Sequence, residues 1–285
     1  MPDQPKPPNQ PDQPDQALAS RHHAHAALLL NRLDAIGHAL AQSGHALALI
    51  GLGSVGLETQ RIDAWSDLDF FAIVQPGHKA RYVQQLDWLA AAHPLAWSVQ
   101  NTADGHKALM ADGVLCEFAV FEPAELDAIP FAPGRVVWKR PEVSDSIATP
   151  RRPVPGAQLP DEAWIVGEAL SCLYVGLQRW HRGEKLSAAR FVQGHALDRL
   201  IELDALRTAA PAGDPFNRER RLEQRQPTLA DELPQLVPGY AHTPQAALAM
   251  LAALRRRRAL INGALEAEIV RLSALALAAP RQAGA

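Results

Sequence analysis

The chain has 285 residues, 47% of them hydrophobic, which is enough for two domains that each bury a core. The 28 Lys and Arg residues nearly balance the 31 Asp and Glu residues, so the formal net charge of -3 excludes a global positive field that would attract nucleic acid or anionic lipid. The two cysteines, Cys116 and Cys172, are too few and too far apart to predict a disulfide framework or a cysteine metal cluster.

The first half of the chain predicts strands and helices in a mixed order. Residues 1–17 are rich in Pro, Gln and Asp and predict a disordered tail. Apolar residues at helical spacing predict a helix over 17–43, and Gly44 ends it. Buried strands are predicted over 46–51 and 67–74. The remaining predictions here are a helix over 78–93 and three strands, "LAWSVQN", "KALMAD" and "VLCEFAVF".

A change in composition marks a linker after the strands. Residues 143–160 are rich in proline and separate a sheet domain, 18–142, from a helical domain, 161–280. Helices are predicted over 161–182, 187–207 and 244–278. The predicted fold class is therefore α+β: a mixed sheet with flanking helices, followed by a C-terminal α-helical bundle. No apolar run reaches the roughly 18 residues of a membrane span, so we expect a cytoplasmic protein without a membrane partner.

Two carboxylates one residue apart, Asp67 and Asp69, open the strand predicted over 67–74. Side chains at positions i and i+2 of a strand point to the same face of the sheet. Two like charges buried together are costly unless a cation neutralises them, so the pair is a poor structural device. It is a suitable ligand set for Mg²⁺, which prefers oxygen donors. The alternative is a pair of turn residues that precede a surface strand.

A turn and a third acid complete the candidate site. Gly53 and Ser54 directly follow the first predicted strand, where glycine lets a phosphate approach the backbone and serine can donate a hydrogen bond to it. Glu117 stands between apolar neighbours on the last predicted strand, which is unusual for an acid without a partner. Asp112 and Glu122 compete with it for the role of third acid. Three acids and a phosphate turn are the parts of a two-metal nucleotidyl-transfer centre.

These residues resemble the signature of the polymerase-beta-like nucleotidyltransferases, a Gly-Ser turn followed after a short spacer by acid-apolar-acid on the next strand. Within that superfamily the chain is similar to the two-domain bacterial antibiotic nucleotidyltransferases, which adenylylate aminoglycosides or lincosamides. The positions that match the signature are Gly53, Ser54, Asp67, Leu68, Asp69 and Phe70.

The resemblance implies an activity and its ligands. It implies a Mg²⁺-dependent nucleotidyltransferase that moves a nucleoside monophosphate, AMP from ATP by default, onto a hydroxyl of a small molecule such as an aminoglycoside- or lincosamide-like antibiotic. Two Mg²⁺ ions would be held by Asp67, Asp69 and Glu117. Two alternatives stay open: nucleotidyl transfer to RNA or to a protein, and a non-catalytic nucleotide-binding regulatory module. The near-neutral charge argues against RNA.

The resemblance also implies that the helical domain, 161–280, binds the substrate. In antibiotic nucleotidyltransferases a carboxylate from this domain approaches the acceptor hydroxyl as general base. Glu168 is the candidate, because it shares a helical stripe with apolar residues and Arg179. The alternative is a buried structural ion pair of Glu168 with Arg179 or with another helix.

Two cations follow the first predicted helix of the helical domain. Lys185 lies beside the turn that Gly183 is predicted to form, and Arg190 lies one helical turn after Ser187, the predicted N-cap of the next helix. Lys185 and Arg190 are candidates for binding the triphosphate. The alternative for each is a solvated surface charge.

Two further runs of residues have both a functional and a structural interpretation. "HHAH" (22–25) could bind a metal, but an exposed helix face beside a tail is the commoner arrangement. "RRRR" (255–258) is predicted to wrap around a helix as a basic collar, which could bind RNA or lie in solvent.

Overall fold

The computed structural model describes residues 13–154, 160–208, 214 and 216–278. The chain divides into two compact units, residues 1–154 (unit 1) and 155–285 (unit 2), and the boundary falls inside the segment 143–160 predicted as a linker. Unit 1 contains a six-stranded mixed sheet, and unit 2 is helical. The fold class is therefore α+β, as the sequence predicts. No helix in the described ranges is long and apolar enough to cross a membrane.

The strands of unit 1 are β1 (Ala46–Gly51), β2 (Leu68–Val74), β3 (Leu95–Gln100), β4 (Gly105–Met110), β5 (Leu115–Phe121) and β6 (Arg135–Lys139). They form one sheet in the order β3-β4-β5-β2-β1-β6. The β2 and β5 strands are parallel, and all other neighbours are antiparallel. The β6 strand is the one that the sequence analysis missed. All its residues are half-buried, so it lacks the alternation that identifies the other strands.

Three helices accompany the sheet: α1 (Gln13–Gln42), α2 (Lys79–Gln84) and α3 (Asp87–Ala92). Residues 13–17, which the sequence analysis assigned to a disordered tail, are part of α1, and residues 1–12 of that predicted tail lie outside the described residues. The single helix predicted over 78–93 is wrong, because α2 and α3 are separate. Tyr82 and Trp88 are both buried, but on one continuous helix they would lie about 120° apart. The break lets both rings reach the core.

Alternation along the strands divides the sheet into two faces. On one face Phe70 and Phe118 stack with ring centroids 5.0 Å apart and pack in one core with α1. On the other, a smaller cluster around Phe131 covers part of the sheet. Asp69 and Glu117 alternate with the buried aromatic residues, so they lie on this second face, here called the open face.

The described helices of unit 2 are α4 (Glu162–His181), α5 (Lys185–Arg190), α6 (Ala196–Arg207), α7 (Leu222–Arg225), α8 (Pro227–Ala230), α9 (Leu233–Leu236), α10 (Thr243–Arg256) and α11 (Gly263–Ala278). Gly183, with a φ of +82°, follows the end of α4, as predicted. A π-helical turn over Phe191–His195 joins α5 to α6. Ser187 is not an N-cap, because α5 begins at Lys185. Its hydroxyl accepts a hydrogen bond from Arg179 (2.7 Å) instead.

The helix predicted over 244–278 is wrong, because α10 ends at the arginine run. Arg257 caps α10, and Arg258 has a φ of +53°. Arg257 pairs with Asp204 (2.6 Å) on α6, which fixes the turn in place. The predicted basic collar around one helix is therefore wrong, since the run turns the chain. Its other ion pairs are Arg255 with Glu266 and Arg256 with Glu232.

Candidate active site

The turn after β1 lies against Asp69. The backbone N–H of Leu52 donates to the carbonyl oxygen of Asp69 (2.8 Å). Gly53 has a φ of +52°, and a Cβ atom at this position would lie 2.5 Å from Oδ2 of Asp69. A side chain here would force the Asp69 carboxylate to shift, and the positive φ itself favours glycine. Ser54 is buried in the same 3-10 turn. The turn and Asp69 are therefore direct neighbours.

Asp67 follows a loop that α1 holds in place. The backbone N–H of Ala64 donates to Nδ1 of His22 (2.7 Å), and Nε2 of His25 lies 2.8 Å from the carbonyl oxygen of Ser66. These two histidines of the "HHAH" run contact the loop. They are therefore not part of a purely exposed helix face. The sequence gives no signal for this contact, because the partners are about 40 residues apart along the chain.

The parallel pairing of β2 and β5 brings the second and third acids together. Asp69 stands directly opposite Glu117 in the register of the two strands. Neighbouring strands lie about 4.8 Å apart, and both side chains project from the open face. Asp67 immediately precedes β2, two residues before Asp69. The backbone therefore places Asp69 and Glu117 together on the open face, with Asp67 at the start of the same strand.

The two competing acids are engaged elsewhere. Asp112 pairs with Arg32 (2.7 Å), and Glu122 accepts a hydrogen bond from the backbone N–H of Gly77 (2.7 Å). Burial alone would raise the pKa of the Asp112 carboxyl, but the backbone N–H of Val114 and the Arg32 guanidinium outweigh it and hold that pKa below its usual range. Both acids stabilise turns and helix contacts of unit 1.

Glu117 has a cationic neighbour on the next strand. Lys107 of β4 is opposite Glu117 in register, and its Nζ lies 3.0 Å from Oε2 of Glu117. The amide of Asn101 donates to Oε1 of Glu117 at 3.4 Å. With Glu117 in this orientation, no group of three or more His, Cys, Asp or Glu side chains in the described ranges is arranged to hold a metal ion.

Beyond the acids, the open face becomes apolar towards the β3 edge. In the register of the sheet, Val99 is opposite Lys107, and Trp97 and Leu115 flank Leu109. Trp97 is 51% exposed and Val99 43% exposed. An exposed apolar surface therefore adjoins the carboxylates on the side of Lys107.

The strand missed by the sequence analysis adds a cation to the turn. Arg135 of β6 is opposite Gly51 in register, and its Nε donates to the carbonyl oxygen of Val55 (3.2 Å). A guanidinium beside a candidate phosphate turn is a suitable phosphate ligand. Only the pairing of β6 with β1 places Arg135 there, so no local motif could have identified it.

Cys116 of β5 is buried in the core, on the face of the sheet opposite Glu117. Burial raises the pKa of its thiol to about 12, and the nearby Asp67 carboxylate acts in the same direction. The thiol therefore stays protonated at neutral pH.

In unit 2, Glu168 lies on the exposed side of α4. Its backbone carbonyl accepts a hydrogen bond from the Ser171 hydroxyl (3.0 Å), and its carboxylate has no ion-pair partner among the described residues. Arg179, the partner considered from the sequence, lies 3.7 Å from Glu184 and stacks over the Phe191 ring at 4.6 Å. Glu168 is thus solvent-accessible. It does not form the buried structural ion pair that was the alternative to a role as general base.

Lys185 and Arg190 are exposed at the two ends of α5. The Lys185 ammonium lies 5.2 Å from the centre of the Trp180 ring. The two cations are five residues apart along the short helix. At this spacing they lie on different sides of the helix axis and do not form one cluster. Both remain candidates for phosphate binding.

A pocket of about 510 Å³ opens in unit 2 around Gln226. Charged residues line it, but Arg257 pairs with Asp204 and with Glu232. None of the residues predicted from the sequence to form the site lines this pocket.

Distant likenesses to solved structures include the two described below. No protein-family model matches the chain, and no curated protein matches it. An aminoglycoside 6-adenyltransferase from Bacillus subtilis is 12% identical, covers 88% of this chain and 99% of its own, and superposes with a TM-score of 0.35. A nucleotidyltransferase-like protein from Exiguobacterium sibiricum is 13% identical over 92% of this chain and 78% of its own, with a TM-score of 0.32. At TM-scores this low, neither likeness bears on the activity of this chain.

Proposed function

We propose that the chain is a Mg²⁺-dependent nucleotidyltransferase that moves a nucleoside monophosphate, AMP from ATP, onto a hydroxyl of a small molecule. One observation carries the proposal. The register of parallel β2 and β5 sets Glu117 opposite Asp69, while Gly53 approaches the Asp69 carboxylate so closely that an added Cβ atom would displace it. A phosphate turn beside carboxylates on adjacent strands is an arrangement suited to metal-assisted nucleotidyl transfer.

The donor set fits a pair of Mg²⁺ ions. Asp67, Asp69 and Glu117 offer hard oxygen ligands on one face of a sheet, and they would hold the metals. When bound, the ions lower the pKa of the attacking hydroxyl and stabilise the pyrophosphate that leaves. The contribution of the chain is placement: two strands and a loop held by α1 fix the backbone positions of the three acids before the nucleotide arrives.

The triphosphate would lie along the turn. The backbone amides of Gly53 and Ser54 and the guanidinium of Arg135 supply donors on one side of it. Lys185 and Arg190 of unit 2, both exposed and cationic, are our further candidates for binding a triphosphate. Glu168, exposed and without an ion pair in the described residues, is our candidate for the base that takes the proton of the acceptor hydroxyl.

The open face favours one class of acceptor. Beyond Glu117 it carries Lys107 and then the exposed side chains of Trp97 and Val99. A polycationic aminoglycoside would meet an ammonium and apolar surface there, which is unfavourable. A hydroxylated molecule with fewer positive charges and an apolar surface, as in the lincosamides, fits better.

A non-catalytic nucleotide-binding module is the second candidate, because Glu117 is already neutralised by Lys107. Both candidates are tested by incubating the protein with α-labelled ATP, Mg²⁺ and a panel of lincosamides, aminoglycosides and RNA. We expect labelled product and released pyrophosphate with a lincosamide-like acceptor. The matched variant Asp69→Asn should lose at least about 10²-fold in rate, since it removes a metal ligand rather than an outer contact. Nucleotide binding without any product would favour the regulatory module.

A further inference from the structure

Lys107 occupies a specific place beside the candidate metal ligands. It is on β4, directly opposite Glu117 on β5, which in turn is opposite Asp69 on β2. These three residues therefore form one row across three neighbouring strands. The ammonium of Lys107 lies 3.0 Å from Glu117 Oε2, and among the described residues Glu117 is its one anionic partner.

Lys107 contributes little to the stability of this part of the sheet. Its other cross-strand neighbour is Val99, which offers no polar group, and the Asn101 amide contacts the other oxygen of Glu117. The side chains of Lys107 and Glu117 are 43% and 44% exposed. An ion pair this exposed contributes little to stability, so it can exchange readily for another partner.

A divalent cation is the partner that would replace the ammonium. It carries twice the charge of the ammonium, and the carboxylates of Asp67 and Asp69 would share it. A unit positive charge left beside two bound ions would oppose their binding. That charge would be favourable again once a triphosphate arrives.

We propose that Lys107 is a positioning residue that holds Glu117 in the metal-free chain, yields it to the metal, and then faces the triphosphate. This inference rests on the proposed function and deepens it. It explains why Asp69 and Glu117 are adjacent by backbone register although no metal-binding group of three side chains forms among the described residues. Lys107 thereby makes metal binding weak until nucleotide is present.

The test is metal binding without turnover, with Mn²⁺ as the probe and electron paramagnetic resonance as the readout. The variants are Lys107→Met, the charge-conserving Lys107→Arg, Asp69→Asn, and Lys139→Met as a control that removes a lysine paired elsewhere in unit 1, with Asp145. We expect Lys107→Met to bind Mn²⁺ about threefold to tenfold more tightly than the native protein. Lys107→Arg and Lys139→Met should match the native affinity, and Asp69→Asn should bind at least tenfold more weakly.

A second measurement uses a non-hydrolysable ATP analogue at saturating Mg²⁺. Lys107→Met should bind it more weakly and Lys107→Arg should restore the affinity. Unchanged or weaker Mn²⁺ binding by Lys107→Met, with Asp69→Asn still defective, would overturn the role of Lys107 and leave the metal centre intact. Mn²⁺ binding that is absent, or unaffected by Asp69→Asn, would overturn both the role of Lys107 and the proposed function. A lower melting temperature with native Mn²⁺ affinity would make Lys107 merely structural.

Discussion

In unit 1 the backbone fixes the positions of the candidate residues. In unit 2 the candidate residues are distinguished by side-chain exposure alone. In unit 1, strand register puts Asp69 beside Glu117 and turn geometry puts Gly53 against Asp69. In unit 2, Glu168 and Lys185 project from helix surfaces with no ion-pair partner among the described residues. Groups fixed by a sheet keep their spacing when the charge on them changes, while exposed helix side chains are free to reorient. Substitutions in unit 1 should therefore affect the reaction more sharply.

The largest effect in this comparison should come from Glu117→Gln. The change keeps the volume and removes one charge from the metal set, so the transfer rate should fall about 10³-fold while nucleotide affinity falls less. Steady-state kinetics and equilibrium binding of a nucleotide analogue measure the two.

Asp112→Asn is the matched control for Glu117→Gln, because Asp112 is paired with Arg32 away from the site. Its pKa is lowered in the folded chain, so the carboxylate stabilises the fold above its unfolded pKa of about 3.9 and loses this contribution as the pH falls through the folded pKa. Asp112→Asn should lower the melting temperature at neutral pH, flatten its fall in acid, and leave the rate per folded molecule unchanged. Equal losses of rate in both variants would show that Glu117 has no special role.

The site residues that could be predicted from the sequence are those that belong to one short segment of the chain. The spacing of Gly53, Asp67 and Asp69 is a short-range pattern, and it predicts a turn and a strand face that the structure contains. The role of Lys107 depends on which strand lies beside β5, and that of Arg135 depends on β6 pairing with β1. Such partners come from the topology, and no periodicity in a single sequence records them.

Helix breaks were missed for a related reason. Periodicity predicts helix over 244–278, but the chain turns at Arg257 because ion pairs with Asp204 and Glu232 hold it there. Asn262 then accepts hydrogen bonds from the first backbone N–H groups of α11. A cap inside an Ala- and Leu-rich run has a weak local signal, and tertiary contacts decide whether it is used.

A smaller effect, on the side of unit 2, should come from Glu168→Gln. If Glu168 takes the proton of the acceptor, the transfer rate should fall about 10²-fold, ATP and Mg²⁺ affinity should stay unchanged, and the acidic limb of the pH-rate profile should disappear. The melting temperature should be unchanged, because Glu168 is exposed and has no ion-pair partner in the described part of the chain. A native rate and pH profile would remove Glu168 from the reaction and leave the base to be sought in unit 1.

The smallest of these effects should come from Gly53→Ala, which adds one carbon against Asp69. The added Cβ would force the turn and Oδ2 apart, so we expect a loss in rate of about tenfold and of stability by about 1–2 kcal/mol. Gly77→Ala is the control, because Gly77 also has a positive φ, of +84°, but nothing within 4 Å of its Cβ position. It should lose stability alone. A rate that falls equally in both variants would mean that the turn matters only for folding.

A crystal structure with Mg²⁺ and a non-hydrolysable ATP analogue tests the central claim most directly, namely that the strand register of unit 1 builds a metal centre for nucleotidyl transfer. The account predicts metal density between Asp67, Asp69 and Glu117, phosphates on the Gly53 turn, and the Glu117 carboxylate moved away from Lys107. A nucleotide bound elsewhere, or bound at the turn with Glu117 still paired to Lys107 and no metal between the carboxylates, would contradict it.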